Sequence, residues 1–339
     1  MILILNYWLL QNTFIFSKFE KVWKIKFLRK LKYFKLIGQN LKLTMAHWKT
    51  LEFVSANNQM YSSVLFRVVK RGDSKSLTKY VNEGAMLDLG YAFETPPKWF
   101  HEEMCYQEIT GFYDCSLIDV AICHGHLDIV KIIIESGVDV NDFISNPSYL
   151  TAVATACIIG ETDIVKYLVS QGADIEIFDR YERTPLYYAS KYGHIDLISF
   201  LLSKGAQSEV NDDRKMSPLM IACKNGKVDS VDALLNHGVS VEGVDYYGNS
   251  VLINAVYGKC IDIFDRLIIY GVNINHQNKN RETALIIAVK EGHFKIVERL
   301  ISLNCDIDLR DKYGKTAFMW ATDLKYYEIA DMIMESWDS

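Results

Sequence analysis

The sequence predicts an all-α repeat solenoid, in which helix–turn–helix units stack on one another and are joined by hairpin-like loops. From residue 116 to residue 316, serine or threonine recurs after a gap of 35 residues and then after five gaps of 33. Alanine follows each of these seven positions by five residues. A period of this length, repeated this often, indicates stacked supersecondary units. With one earlier copy, the anchor residues are Ser63, Ser116, Thr151, Thr184, Ser217, Ser250, Thr283 and Thr316.

One unit shows why each element is expected to form. Thr184 caps the first helix, because its side-chain oxygen can accept a hydrogen bond from an unpaired amide of the first turn. Pro185 follows where no intrahelical N–H is lost. Gly193 ends this helix and Gly205 ends the second, since glycine adopts the left-handed conformation without strain. The second helix carries an apolar stripe that one unit cannot bury alone, which requires stacking; the stripe is Leu197, Ile198, Leu201 and Leu202.

Three segments carry these features together: HGHLDIVKIIIESGVDVN (124–141), IIGETDIVKYLVSQGADIE (158–176) and RTPLYYASKYGHIDLISFLLSKGA (183–206). They resemble ankyrin repeats, and the resemblance covers about residues 60–339. It implies paired antiparallel helices, hairpin loops that project at right angles, and a curved stack that binds other proteins. The sequence departs from the family in lacking the histidine that follows Thr-Pro-Leu.

Composition divides the chain near residue 50. Residues 1–50 carry a net charge of +9, from ten Lys/Arg and one acid, whereas residues 51–339 carry −14, from 27 basic and 41 acidic residues. We therefore expect a basic and apolar leader over residues 1–45 and an ankyrin repeat domain of about eight units over residues 58–339. The first two anchors lie 53 residues apart, which is 20 more than one period and predicts an insertion at about residues 88–112.

The leader allows several interpretations. Lysines alternate with aromatic and aliphatic residues over 18–42, so this segment could form a basic amphipathic helix on an anionic membrane surface. We favour the competing interpretations, in which the segment is a poorly ordered tail, a targeting peptide, or residues upstream of a start at Met45. The apolar stretch Met1–Phe16 is shorter than the roughly 20 residues that a spanning helix requires.

Several positions depart from the repeat pattern or suggest a metal site. Lys259 and Lys325 stand where other units have the helix-ending glycine, and we expect local strain there. Asn304 replaces a loop glycine, which asparagine tolerates. The sequence offers no catalytic constellation, metal site or cofactor motif. Three histidines each follow a repeat glycine and are expected to be structural: His126, His194 and His293.

The seven cysteines are odd in number, and no two of them have the spacing of a zinc or redox motif. A reducing, cytoplasmic location is the natural interpretation. Cys157 and Cys223 directly follow the repeat alanine and are predicted to be core thiols.

The resemblance places the partner-binding positions at the hairpin tips, one to four residues before each anchor, and on the concave face, seven and eight residues after it. Tyrosine, arginine and lysine dominate these positions, and Tyr and Arg frequently anchor interfaces. We expect this surface to bind an acidic or extended protein segment. The candidates are Arg180, Tyr181, Arg183, Lys191, Tyr192, Arg214, Met216, Lys224, Tyr246, Tyr247, Tyr257, Lys279, Lys290, Lys312 and Tyr313.

The insertion is the second candidate binding element. Its aromatic residues include Trp99 and Phe100, and they either pack back on the stack or contact a partner. Together these features predict a monomeric, non-enzymatic adaptor that binds another protein and no nucleic acid. The alternative is a membrane-associated scaffold tethered by residues 18–42.

Overall fold

The computed structural model describes residues 64–85, 87, 90–93, 113–142 and 150–336. The leader, the anchor Ser63 and most of the insertion, including Trp99 and Phe100, lie outside the described residues. The chain divides into two compact units, residues 1–147 and 148–339.

The first unit contains four helices and a pair of strands in its described residues. Helix α2 packs against α4, and α3 packs against α4 as the two arms of one repeat. The elements are α1 (64–71), α2 (Ser74–Asn82), β1 (Gly90–Phe93), β2 (Tyr113–Ser116), α3 (Leu117–Cys123) and α4 (Leu127–Glu135).

The second unit consists of six consecutive helix pairs. The first helices of successive pairs pack against one another, and so do the second helices. This arrangement confirms the predicted solenoid. The helices are α5 (Ala152–Ile159), α6 (Thr162–Ser170), α7 (Pro185–Tyr192), α8 (Ile195–Ser203), α9 (Pro218–Lys224), α10 (Val228–Asn236), α11 (Val251–Tyr257), α12 (Ile261–Ile269), α13 (Ala284–Lys290), α14 (Phe294–Ser302), α15 (Ala317–Asp323) and α16 (Tyr327–Glu335).

All seven described anchor residues are N-caps. Thr184, for example, accepts a hydrogen bond on its side-chain oxygen from the amide of Tyr187, with Pro185 in the first turn, as predicted. Such a cap stabilises a helix by roughly 1 kcal/mol, so seven of them strongly favour the predicted helix starts. The capped helices begin after Ser116, Thr151, Thr184, Ser217, Ser250, Thr283 and Thr316.

The core repeats with the same period. The alanine five residues after each anchor is fully buried, which lets successive first helices approach closely. The apolar stripe of α8 is buried at Leu197, Ile198 and Leu201. Burying each such side chain contributes about 1.5–3 kcal/mol. The thiols of Cys157 and Cys223 are fully buried too, as predicted, and burial raises the pKa of both.

The two strands are a feature that the repeat pattern did not predict. β1 and β2 pair antiparallel, with Gly90 opposite Ser116 and Phe93 opposite Tyr113. Because paired Cα atoms lie about 5 Å apart, Phe93 and Tyr113 lie close together although they are 20 residues apart in sequence. The short β-ribbon ends at Ser116, which is also the cap of α3.

The histidines that follow a repeat glycine link neighbouring repeats. Nε2 of His194 lies 3.1 Å from the carbonyl oxygen of Ile158, and a Cβ at Gly160 would lie 2.6 Å from the His194 ring. His126 makes the corresponding 3.1 Å contact in the first unit, with the carbonyl oxygen of Lys70. The ring thus occupies the space that the missing side chain at the glycine leaves. These two histidines are structural, as predicted.

His293 departs from this pattern. The residue at the corresponding glycine position is Lys259, which has a positive φ of 58°. Within the described residues, the buried Nε2 of His293 has no hydrogen-bond partner. Burial, followed by the charge of Lys259, lowers the pKa of His293. The lysine therefore adopts the left-handed conformation expected for this position, which is strained for a residue that carries a side chain.

Candidate protein-binding surface

The hairpin tips of the second unit share one internal support. In the first tip, Oδ1 of Asp179 accepts hydrogen bonds from the amides of Tyr181 (2.8 Å) and Arg183 (3.0 Å). The same pair of bonds recurs every 33 residues, at Asp212, Asp245, Asn278 and Asp311. We call the five segments 179–183, 212–216, 245–249, 278–282 and 311–315 the tips.

The tips are also bonded to one another through the backbone. The amide of Asp213 donates to the carbonyl of Tyr181 at 3.0 Å, and the amide of Tyr246 donates to that of Arg214 at 2.7 Å. The next two tips continue the series, from Lys279 to Tyr247 at 3.0 Å and from Lys312 to Asn280 at 2.8 Å. The tips therefore form a continuous hydrogen-bonded row whose geometry does not depend on a partner.

The second carboxylate oxygen of the tip aspartates points inward. Oδ2 of Asp179 accepts the hydroxyl of the fully buried Tyr188 at 2.7 Å, and Oδ2 of Asp311 accepts Nε1 of Trp320 at 2.8 Å. Burial opposes ionisation of Asp311, but hydrogen bonds from the Lys315 amide and the Trp320 indole outweigh it and lower the pKa of this carboxyl. These aspartates are buried structural groups. Sequence reasoning missed them, although their 33-residue spacing was visible.

The predicted binding residues fall into three classes. Most are exposed: Arg180, Arg214, Lys224, Tyr246, Tyr247, Lys279, Lys312 and Tyr313. A second group is half-buried: Tyr181, Arg183, Lys191, Tyr192, Tyr257 and Lys290.

Met216 is the third class, because it is buried with 5% of its surface exposed. Its amide donates to Oδ1 of Asp212 at 2.7 Å, at the point where the hairpin turns into the cap of α9. A side chain at this position packs inward, so Met216 offers no surface to a partner and is removed from the candidate set. The guanidinium of Arg183 is paired with the buried Asp179 at 2.6 Å, so this group is less available to a partner than an exposed arginine.

Ammonium groups and aromatic rings alternate along this surface. Nζ of Lys279 lies 4.5 Å from the centre of the Tyr246 ring, and Nζ of Lys312 lies 5.1 Å from that of Tyr313. Trp320 was not among the predicted binding residues, and Nζ of Lys315 lies 4.4 Å from the centre of its ring. Cation–π contacts of this kind hold flexible lysines against rigid rings and limit the ordering cost of binding.

Tyr257 is a half-buried tyrosine of the same surface. Burial, with smaller contributions from Glu282, Glu291 and Asp245, raises the pKa of Tyr257 to about 12, so its hydroxyl stays protonated at neutral pH. In the part of the chain that the structure describes, no group of three or more His, Cys, Asp or Glu residues could hold a metal ion. None of the helices over the described ranges has the length and apolar character to cross a membrane.

Comparison with known proteins agrees with this geometry. A family model described as ankyrin repeats (3 copies) matches residues 117–212, 204–278 and 252–338. No curated protein sequence matches the chain. Among solved structures, the ankyrin repeat domain of Bcl-3, a member of the IkappaB protein family, superposes with a TM-score of 0.54. It is 23% identical, and the match covers 64% of this chain and 97% of that domain. The family model spans well over half of the sequence, and the chain therefore belongs to the ankyrin repeat family.

Proposed function

We propose that this protein is a monomeric, non-enzymatic adaptor of the cytoplasm that binds a partner protein through its tips and the adjoining ends of its first helices. The observation that carries the proposal is the hydrogen-bonded row of tips, which presents Tyr and Arg side chains at a fixed spacing. Ankyrin repeats are general protein–protein interaction modules, and the family is typically non-catalytic.

A fixed row of side chains favours affinity because little conformational freedom is lost on binding. Tyr246 and Tyr247 are 56% and 58% exposed, and their rings meet edge to face at 5.5 Å. Aromatic side chains held in this way supply contact area at low entropic cost and frequently become hot spots. The thiols of four described cysteines form no disulfide, which is consistent with a reducing compartment: Cys157, Cys223, Cys260 and Cys305.

The test is a quantitative pull-down from the native cell with the full chain and the triple variant Tyr181→Ala, Arg214→Ala and Tyr247→Ala. We expect the wild type to recover a specific partner and the variant to lose at least about 90% of it, as loss of a few hot-spot residues predicts. The matched control replaces three exposed residues by alanine: Lys295 and Tyr327, which lie on second helices, and Tyr270, which directly follows one. Equal recovery by the wild type and both variants, at unchanged melting temperature, would show that binding does not use the tips.

A further inference from the structure

The tips hide their carboxylates and expose their cations. Asp179, Asp212, Asp245, Glu282 and Asp311 are all buried, whereas only Glu182 and Asp213 expose a carboxylate there. Apart from Arg183, which is paired with the buried Asp179, the basic residues of the same segments lie on the outside: Arg180, Arg214, Lys215, Lys279, Arg281, Lys312 and Lys315. A unit that is acidic as a whole thus presents a locally basic edge to a partner.

Several of the tip cations already have partners. Arg183 pairs with Asp179, and Lys315 pairs with Asp323 at 2.6 Å. Lys312 donates to Oδ1 of Asn280 at 2.9 Å, and Lys279 donates to the carbonyl of Tyr246. On the first-helix face, Lys290 pairs with Glu282 at 2.5 Å. A cation engaged in this way contributes less to binding, because its existing bond must be broken.

The repeat that contains α9 is different. Arg214, Lys215 and Lys224 are exposed, and no carboxylate within the described ranges lies at ion-pair distance from any of them. All three belong to one repeat: two lie in its tip, and Lys224 is the last residue of its first helix. Arg281 also has no carboxylate at ion-pair distance among the described residues. Its neighbouring cations in the sequence do have partners, however: Lys279 donates to the carbonyl of Tyr246, and Lys290 pairs with Glu282.

Aromatic side chains adjoin these cations. The backbone amide of Tyr246 donates to the carbonyl of Arg214 at 2.7 Å. The exposed pair Tyr246 and Tyr247 of the next tip therefore lies beside Arg214. Nζ of Lys224 lies 6.0 Å from the centre of the Tyr257 ring. We name Arg214, Lys215, Lys224, Tyr246 and Tyr247 the central basic patch. An extended chain with carboxylates and apolar groups would find both complementary charge and aromatic contact here.

We propose that the central basic patch binds an acidic, extended peptide segment of the partner protein. The inference rests on the proposed function and specifies the chemistry of the partner. Unpaired cations on a tip row of fixed geometry attract carboxylates over a Debye length and then bind them directly.

The test measures fluorescence anisotropy of a fluorescein-labelled dodecapeptide of alternating glutamate and serine, added to the full chain. Its neutral glutamine–serine counterpart is the peptide control. The test variant is Arg214→Glu, Lys215→Glu and Lys224→Glu. The matched control is Lys166→Glu, Lys204→Glu and Lys295→Glu, which changes the net charge equally but lies on the second helices or, for Lys204, directly after one.

We expect the glutamate peptide to bind the wild type at least about tenfold more tightly than the glutamine peptide does. The affinity of the test variant for the glutamate peptide should be at least about tenfold lower than that of the wild type, as reversal of interface charges predicts. The affinity of the control variant for this peptide should stay within about twofold of the wild type, and the affinity of the wild type should fall as salt is added. Equal loss in both variants, or equal binding of both peptides, would overturn the inference. So would a glutamine–serine peptide with one phosphoserine that binds more tightly than the glutamate peptide.

The two proposals fail in different ways. In one case, the alanine variant of Tyr181, Arg214 and Tyr247 loses its captured partner while the glutamate peptide does not bind the wild type. The tips then bind a protein of other chemistry, so the proposal of an acidic segment is wrong and the proposed function stands. If the alanine variant keeps its partner, the proposal that the protein binds its partner through the tips is wrong.

Discussion

Replacing Asp179 by alanine should destabilise the second unit strongly, although the residue belongs to a surface hairpin. Its side chain is only 1% exposed, and it accepts hydrogen bonds from the amides of Tyr181 and Arg183, the hydroxyl of Tyr188 and the guanidinium of Arg183. Hydrogen bonds to a charged group contribute about 1.5–3 kcal/mol each, but the bonds to one carboxylate do not add independently. Removing one member of a buried ion pair costs about 3–5 kcal/mol, and we expect the free energy of unfolding to fall by this amount.

Urea denaturation followed by circular dichroism gives the midpoint and the slope m for each variant. The matched control is Asp213→Ala, because Asp213 is an exposed tip aspartate whose loss should change stability by no more than about 0.5 kcal/mol. Asp179→Asn keeps an acceptor for the two amides and should lose about half as much as the alanine variant. Because repeat arrays can unfold locally, hydrogen exchange of the amides of Tyr181 and Arg183 should be measured alongside. If Asp179→Ala and Asp213→Ala differ by less than about 0.5 kcal/mol, the buried carboxylates do not support the tips.

Three further predictions follow from the same geometry. Lys259→Gly should raise the free energy of unfolding by about 1–2 kcal/mol in urea, because it removes a left-handed lysine and lets His293 contact the Tyr257 carbonyl; an unchanged midpoint would contradict this. The pKa of His293 is lowered in the folded state, so the native protein binds fewer protons than the unfolded chain, and stability should fall as pH drops below the ordinary value of 6.5. Comparing urea midpoints at pH 8 and pH 5 should show a smaller loss for His293→Gln than for the wild type, and equal losses would exclude this histidine. Finally, the full chain and a form lacking residues 1–44 should both fail to float with anionic liposomes, whereas flotation of the full chain alone would support the membrane-scaffold alternative.

The fold could be predicted because its determinants are local and repeated. The cap Thr184, the proline that follows it and the helix-ending Gly193 each fix the backbone of a few neighbouring residues. Because the same residue types recur at a fixed spacing in several units, the pattern cannot be a coincidence of one segment. The strand pair was not predictable in this way, because Gly90–Phe93 and Tyr113–Ser116 are short and pair across the insertion. A pairing between distant segments leaves no periodic trace in the sequence.

The binding surface was predicted by position but not by orientation. Counting back from an anchor treats all tip residues alike, yet Met216 turns inward while Arg214 points to solvent. The reason is the aspartate of each tip, whose two amide hydrogen bonds fix which residues of the hairpin face the stack. Trp320 was missed because it lies four residues after its anchor, a position that the other repeats fill with core or buried polar residues.

The electrostatic character of this protein follows from where its charges point more than from their sum. The net charge of −14 over residues 51–339 suggests at first a basic partner. In the tips, however, most carboxylates are buried and accept hydrogen bonds from backbone amides. Each buried aspartate that supports a tip therefore leaves one negative charge fewer on the contact surface. Apart from Arg183, which pairs with Asp179, the cations of the tips remain outside. An acidic repeat array can therefore favour an acidic ligand, provided that the ligand contacts the tips, and screening by salt limits the repulsion from the rest of the unit to about 8–10 Å.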